Sequence, residues 1–182
     1  MMSKDTDSNL SVRAPQPHEQ RRIDQIELEL ELVCGEKLRR QLTMPGVDCG
    51  KNCEREYVLY VPSSSCRHPS EAAIDSLPLV FALHCLGRTP ETMMHWVDVA
   101  ETYQFVLAIP KGIQSSFNAQ HCCGHALEQN VDDVGFLTAI ISELSAQHVF
   151  ISPEITYAMG WSNGGYMVMY AAHLFRAIAP IS

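Results

Sequence analysis

The hydrophobic rhythm of the chain changes part-way along. Residues 26–33 read I-E-L-E-L-E-L-V, a strict alternation with the period of a strand. Ile26, Leu28, Leu30 and Leu32 share one face, and Glu27, Glu29 and Glu31 the other, which suits a solvated sheet edge. Residues 56–61 (E-Y-V-L-Y-V) predict a second strand, closed by Pro62. Beyond a Ser/Pro-rich loop the pattern becomes blocks. Residues 78–85 (P-L-V-F-A-L-H-C) and 105–109 (F-V-L-A-I) are continuously apolar, the mark of strands buried on both faces of a parallel sheet.

Helical signals lie between and after these blocks. Residues 90–103 predict a helix, with Thr89 ahead of it, Pro90 at the first position and Glu91 in the first turn. Asn130 is placed to cap a second helix, with Asp132 and Asp133 at its positive end. Val134, Leu137, Ile140, Ile141 and Leu144 give that helix a core stripe. A strand over 155–159, a helix over 163–175 and a strand over 177–181 complete the series. The second half thus reads β-α-β-α-β-α-β, which predicts an α/β fold with a mostly parallel sheet and an antiparallel N-terminal edge. Residues 1–25 are polar, include Pro15 and Pro17, and predict a disordered tail, leaving 26–182 as the domain.

Composition narrows the partners. The 182 residues are 46% apolar and 19% charged, which is globular usage. Acidic residues outnumber basic ones 21 to 13, a formal net charge of −8, and no Lys/Arg cluster occurs, so nucleic acid and anionic membrane are not expected partners. No apolar run approaches the roughly 18 residues of a membrane-spanning helix. Seven cysteines are present, an odd number that leaves at least one thiol free or paired between chains. That many cysteines suggest an oxidising compartment, whereas the polar N-terminus, without the apolar core of a signal peptide, suggests a reducing one and makes cytoplasmic the alternative location.

The sharpest chemical signal is Gly160-Trp161-Ser162-Asn163-Gly164-Gly165, a G-x-S-x-G pattern set between a predicted strand and a predicted helix. That context makes it a nucleophile elbow, in which a strained turn projects the serine hydroxyl and the flanking glycines avoid collision across the turn. Ser162 is the candidate nucleophile, and Trp161 either packs beneath it or lines an acyl pocket. Developing oxyanion charge calls for two backbone N–H donors. Asn163, directly after the nucleophile, is one, and Leu86, in the turn His84-Cys85-Leu86-Gly87, is the other. His84 is expected to shape that turn through backbone hydrogen bonds rather than to move protons.

These stretches resemble the polyhydroxybutyrate depolymerase and feruloyl esterase group of α/β-hydrolases. The resemblance rests on P-L-V-F-A-L-H-C-L-G (78–87), F-V-L-A-I-P-K-G (105–112), F-N-A-Q-H-C-C-G (117–124), N-V-D-D-V-G-F-L (130–137) and G-W-S-N-G-G (160–165). It implies a partial α/β-hydrolase fold, a serine esterase acting on polyester or feruloylated polysaccharide, a Ser–Asp–His triad, no cofactor and an extracellular location. Two departures stand out. Cys85 occupies the place where such turns usually carry glycine, which could distort the oxyanion turn. After Ser162 there is no Asp or Glu, and the one later histidine, His173, sits eleven residues further on. In the α/β-hydrolase order the acid and base follow the serine. The expectation is therefore an esterase domain truncated at its C-terminus, inactive or weakly active as it stands. The alternatives are a non-catalytic fragment or pseudoenzyme, or another serine hydrolase such as a thioesterase or peptidase. His121, Cys122, Cys123 and His125, with Cys49 and Cys53, invite a zinc reading, but adjacent cysteines fit one tetrahedral ion poorly. No metal is expected; in an oxidising compartment a disulfide from Cys122 or Cys123 to another cysteine is the expectation instead.

Overall fold

The computed structural model describes residues 16, 34–44, 54–66, 76–147 and 151–182. The alternating segment 26–33 and all of the 1–25 tail except Gln16 lie outside these described residues. The first described strand is instead β1, Lys37–Thr43, whose K-L-R-R-Q-L-T sequence alternates exposed and half-buried positions. It pairs antiparallel with β2, Glu54–Tyr60, and β2 pairs antiparallel with β4, Val106–Pro110. The remaining neighbours run parallel: β4 with β3, Leu77–Leu83; β3 with β5, Ile151–Trp161; and β5 with β6, Ala177–Ile181. The sheet order is β1-β2-β4-β3-β5-β6. A mostly parallel sheet with an antiparallel N-terminal edge is what the two hydrophobic rhythms predict.

Period-two alternation divides each central strand between two cores. On one face Tyr57, Leu59, Leu79, Phe81, Val106, Ala108 and Ala158 pack against two helices: α3, Asp133–Gln147, and α4, Asn163–Tyr170. On the other, Val58, Tyr60, Ala82, Leu107, Ile109 and Met159 pack against α1, Trp96–Tyr103. The helix α3 turns Phe136, Leu137, Ile140 and Leu144 into the core, while Val134 and Ile141 are only half-buried. Phe136 belongs to the stripe although the five-residue pattern omitted it.

Three helical boundaries differ from the pattern. The predicted 90–103 helix is split into a 3-10 turn, Pro90–Met93, and α1. Both the hydroxyl and the N–H of Thr92 donate to the Thr89 carbonyl, which tightens the first turn. The cap of α3 is Asp132, whose carboxylate accepts the Gly135 N–H at 2.7 Å. Asn130 lies two residues too early and takes a left-handed conformation, φ +49°. The predicted 163–175 helix stops at Tyr170, and a 3-10 turn, Ala172–Leu174, brings the chain round to β6. A single turn of helix, α2, His125–Glu128, interrupts the long loop between β4 and α3.

Candidate active site

The C-terminal ends of the parallel strands gather the chemistry. β5 runs straight into α4, and Ser162 is the hinge, exposed at the tip with φ +52° and ψ −116°. This backbone conformation is costly for a residue with a side chain and is held only where the surroundings over-determine it. Those surroundings are backbone. A Cβ on Gly160 would lie 2.2 Å from the Gly164 oxygen, and one on Gly164 would lie 2.5 Å from the Leu83 oxygen and 2.7 Å from that of His84. A Cβ on Gly165 would lie 2.9 Å from the Ile181 oxygen. The Ser162 N–H donates to the Ile181 carbonyl at 2.7 Å, so β6 also braces the elbow. The three glycines therefore let α4 pass against the ends of β3 and β6.

The second loop of the site follows β3. Residues Cys85 to Arg88 make a turn closed by the Arg88 N–H to Cys85 carbonyl bond at 3.1 Å, with Gly87 at φ +73° in its third position. Cys85 is not among the described residues with positive φ, so the backbone there needs no glycine. It is the free thiol of the described residues and is half-buried. Leu86 is 46% exposed.

His84 is buried beneath this turn. Its Nδ1 lies 2.9 Å from the Cys85 carbonyl, and its Nε2 accepts the Gly112 N–H at 3.0 Å. An accepting Nε2 requires the neutral ring with its proton on Nδ1. Burial pushes the imidazole below its ordinary range, against the Cys85 carbonyl, which favours the charged form. The unfolded chain thus binds a proton here before the folded one does. Stability supplied by neutral His84 is present above about pH 6.5 and is lost as pH falls below it. Between pH 7 and 5 the midpoint of thermal unfolding is expected to fall, and a His84→Asn variant to show a flatter dependence over that window. Equal slopes for both proteins would assign the titration elsewhere.

The loop from Gly112 to Gly124 packs between the turn and the elbow. Asn163, wholly buried at the start of α4, holds it with its side chain. Its Oδ1 accepts the Phe117 N–H at 2.8 Å, and its Nδ2 donates to the carbonyls of Phe117 at 2.9 Å and Cys122 at 3.3 Å. The motif points only to the backbone N–H of Asn163; the long separation from Phe117 hides the side-chain role. Beneath the same loop lies a buried ion pair, Arg55 to Asp133 at 2.5 Å, with side-chain exposures of 3% and 0%. The other Asp133 oxygen accepts the Asn118 N–H at 2.7 Å, and the Arg55 guanidinium stacks 4.0 Å from the Phe136 ring centroid. Burial pushes the Asp133 carboxyl up, and Arg55 and the Asn118 N–H pull it back. Asp133 is thus a load carried by a partner from β2, beyond its place at the helix start.

Cys122 and Cys123 are bonded to each other, which replaces the expected bond from one of them to a more distant cysteine. Cys34 is also disulfide-bonded. Among the described residues no group of three or more His, Cys, Asp or Glu is gathered as for a metal. No described helix is long and apolar enough to cross a membrane.

A cavity of about 300 Å³ opens beside Ser162, lined by Gly165, Tyr166, Met169, Pro180, Ile181 and Ser182. Trp161, expected beneath the serine or in the pocket, is 52% exposed at the end of β5 and does not line this cavity. Tyr166 and Met169, one and two turns along α4, are among the residues that do. His173 lies in the 3-10 turn after α4, not on the helix itself, and lines a separate cavity with Asp132 and Tyr170. Ser162 makes no side-chain capping bond. Among the described histidines, His84 is committed at both nitrogens and His95 Nδ1 lies 3.1 Å from the Thr92 carbonyl.

The sheet and its flanking helices have solved counterparts. A poly(3-hydroxybutyrate) depolymerase, LpqC from Bordetella parapertussis, superposes with a TM-score of 0.59 at 16% identity, over 86% of this chain and 54% of its own. This chain has the α/β-hydrolase fold. A thermostable esterase gives a TM-score of 0.56 at 20% identity, over 82% of this chain and 41% of that one. A fluorophosphonate-binding serine hydrolase, FphF from Staphylococcus aureus, gives 0.57 at 15% identity, over 82% and 57%. The chain thus spans about half the length of these structures. A profile of the prolyl oligopeptidase family matches residues 120–181, the loop, α3, the elbow and β6. Comparison with curated protein sequences finds no match.

Proposed function

We propose that Ser162 is the nucleophile of a serine hydrolase acting on carboxylic esters. The observation that carries this reading is the backbone of Ser162, φ +52° and ψ −116°, held exposed between β5 and α4 by glycines whose neighbours exclude any side chain. In the reaction Ser162 Oγ attacks the ester carbonyl carbon, its proton passing to a base, and the carbonyl electron pair moves onto oxygen. The N–H groups of Asn163 and Leu86 are the proposed donors to that oxyanion. Collapse expels the alcohol, and water then releases the acid from Ser162. No cofactor enters these steps. The esterases and the depolymerase among the solved neighbours support an ester substrate, with polyester or feruloylated polysaccharide as the class suggested by the sequence resemblance. The apolar walls from Tyr166, Met169 and Ile181 and the acidic net charge favour a neutral acyl group over an anionic one.

A serine hydroxyl is a weak nucleophile without an adjacent base. The bonding of His84 and the position of His173 leave Ser162 without either as its base, so we read the 182-residue chain as weakly active. Turnover of p-nitrophenyl acetate is expected on the order of a millionfold below that of a complete triad. A fluorophosphonate should label the peptide containing Ser162 slowly, and Ser162→Ala should abolish the label. Rapid full conversion of the ester would overturn the weak activity. A folded protein that takes no label would favour a non-catalytic fragment. The prolyl oligopeptidase match favours a second reading, peptide hydrolysis at the same serine. Preference for a peptidyl nitroanilide over a nitrophenyl ester of the same acyl group would select it.

A further inference from the structure

We propose that the Asn163 side chain is a positioning residue that ties together the two backbone segments carrying the oxyanion donors. This inference rests on the serine-hydrolase reading for its catalytic consequence, though not for its geometry. The amide is saturated: its oxygen and both of its hydrogens are engaged with Phe117 and Cys122. The loop so held is fastened in turn to the Leu86 turn at three places. The Gly87 N–H donates to the Ser115 carbonyl at 2.9 Å, His84 Nε2 accepts the Gly112 N–H, and the Leu86 side chain lies over Gly124, 2.6 Å from where a Cβ there would stand. Asn163 therefore has its backbone N–H in the elbow, while its side chain reaches through one loop to the segment that carries the other donor. A side chain of this kind does not touch the substrate. It sets the separation of two groups that do, and small misplacement of such groups has large kinetic effects.

Only an amide fits this place. A carboxylate keeps the acceptor for the Phe117 N–H but turns lone pairs toward two carbonyl oxygens. Protonated, it regains one donor. Asn163→Asp is thus the informative variant and Asn163→Ala the complete loss.

The experiment measures fluorophosphonate labelling of Ser162 at saturating and limiting probe, at temperatures where circular dichroism shows each variant folded. Asn163→Ala is expected to lower the maximal labelling rate about a hundredfold with little change in apparent probe affinity. Asn163→Asp should lose a similar factor at pH 8 and recover part of it relative to the native protein as the pH is lowered to 5. Native-like maximal rates in both folded variants would overturn the proposal, as would a loss confined to probe affinity. Hydrogen exchange supplies a readout that does not need a reactive serine. Asn163→Ala should accelerate exchange both in 113–124 and in 85–88. Acceleration in the first segment alone would also overturn it. If the native protein takes no label while both segments loosen, the serine-hydrolase reading fails and the positioning role stands.

Discussion

Asp133→Ala is expected to destabilise the protein by about 3–5 kcal/mol, the cost of leaving one member of a buried ion pair unpaired. The Arg55 guanidinium would then be left at 3% exposure with a weak 3.4 Å bond to the Lys111 carbonyl and the Phe136 ring as its described neighbours. Its Nε already lacks a hydrogen-bond partner in the native state, so nothing nearby can take up the lost contact. Asp133→Ala also orphans the Asn118 N–H, which Arg55→Ala does not. The aspartate variant should therefore be the worse of the two single changes, and it should loosen the loop ahead of α3 as well as lower the unfolding midpoint. Replacing both charges, Arg55→Met with Asp133→Leu, should recover most of the loss, because the pair offsets its own desolvation without large net gain. Denaturant unfolding of the native protein, this double variant and its two constituent singles, Arg55→Met and Asp133→Leu, checks this as a double-mutant cycle. A double variant as unstable as the sum of the singles would show that the charges contribute beyond each other's neutralisation.

The pair also marks how far sequence patterning reaches. The block-apolar strands β3 and β4, the elbow and β6 are legible because their signals are local. A run of apolar residues, a proline or a glycine pair decides each of them within a few positions. β6 is found over its full length, 177–181. What escapes is whatever depends on a distant partner. Asp133 has the sequence features of a helix start, and its role changes because β2 brings Arg55 beneath it from 78 positions away. Asn163 has the features of an elbow residue, and its side chain is spent on Phe117, 46 positions back. The Cys122–Cys123 bond escapes for the opposite reason: adjacent cysteines fit one metal ion poorly, and that says nothing about a bond between the two. β1 was missed because K-L-R-R-Q-L-T carries only two apolar residues, and a solvated edge strand needs no more. Trp161 shows the limit within a motif: the pattern names the residue, but only the pairing of β5 with β6 leaves it exposed rather than in the pocket.

The glycines of the site should separate into two classes under substitution, and Gly160→Ala should have the largest effect. Its new methyl would meet the carbonyl carbon and oxygen of Gly164 at 2.3 and 2.2 Å and the Gly165 nitrogen at 2.8 Å. All three atoms are backbone, so no rotamer change relieves the contact. Either α4 moves off the end of β5 or the Ser162 turn opens. Overpacking of this kind costs about 3 kcal/mol or more where the neighbours cannot yield. Gly164→Ala should be nearly as severe, since its methyl would press on the Leu83 and His84 carbonyls and drive the elbow away from the Leu86 turn. Gly87→Ala is the contrast. Nothing lies within 4 Å of its added methyl, so only the left-handed backbone at φ +73° resists, which amounts to about 1–2 kcal/mol. Thermal unfolding should therefore rank Gly160→Ala below Gly87→Ala by several degrees. Fluorophosphonate labelling should persist in Gly87→Ala and vanish in Gly160→Ala even at temperatures where the latter remains folded. If Gly160→Ala kept native-like stability, the tight crossing of α4 over β5 would not be what holds Ser162 at positive φ. The strained serine would then have to be set by its bond to Ile181 alone.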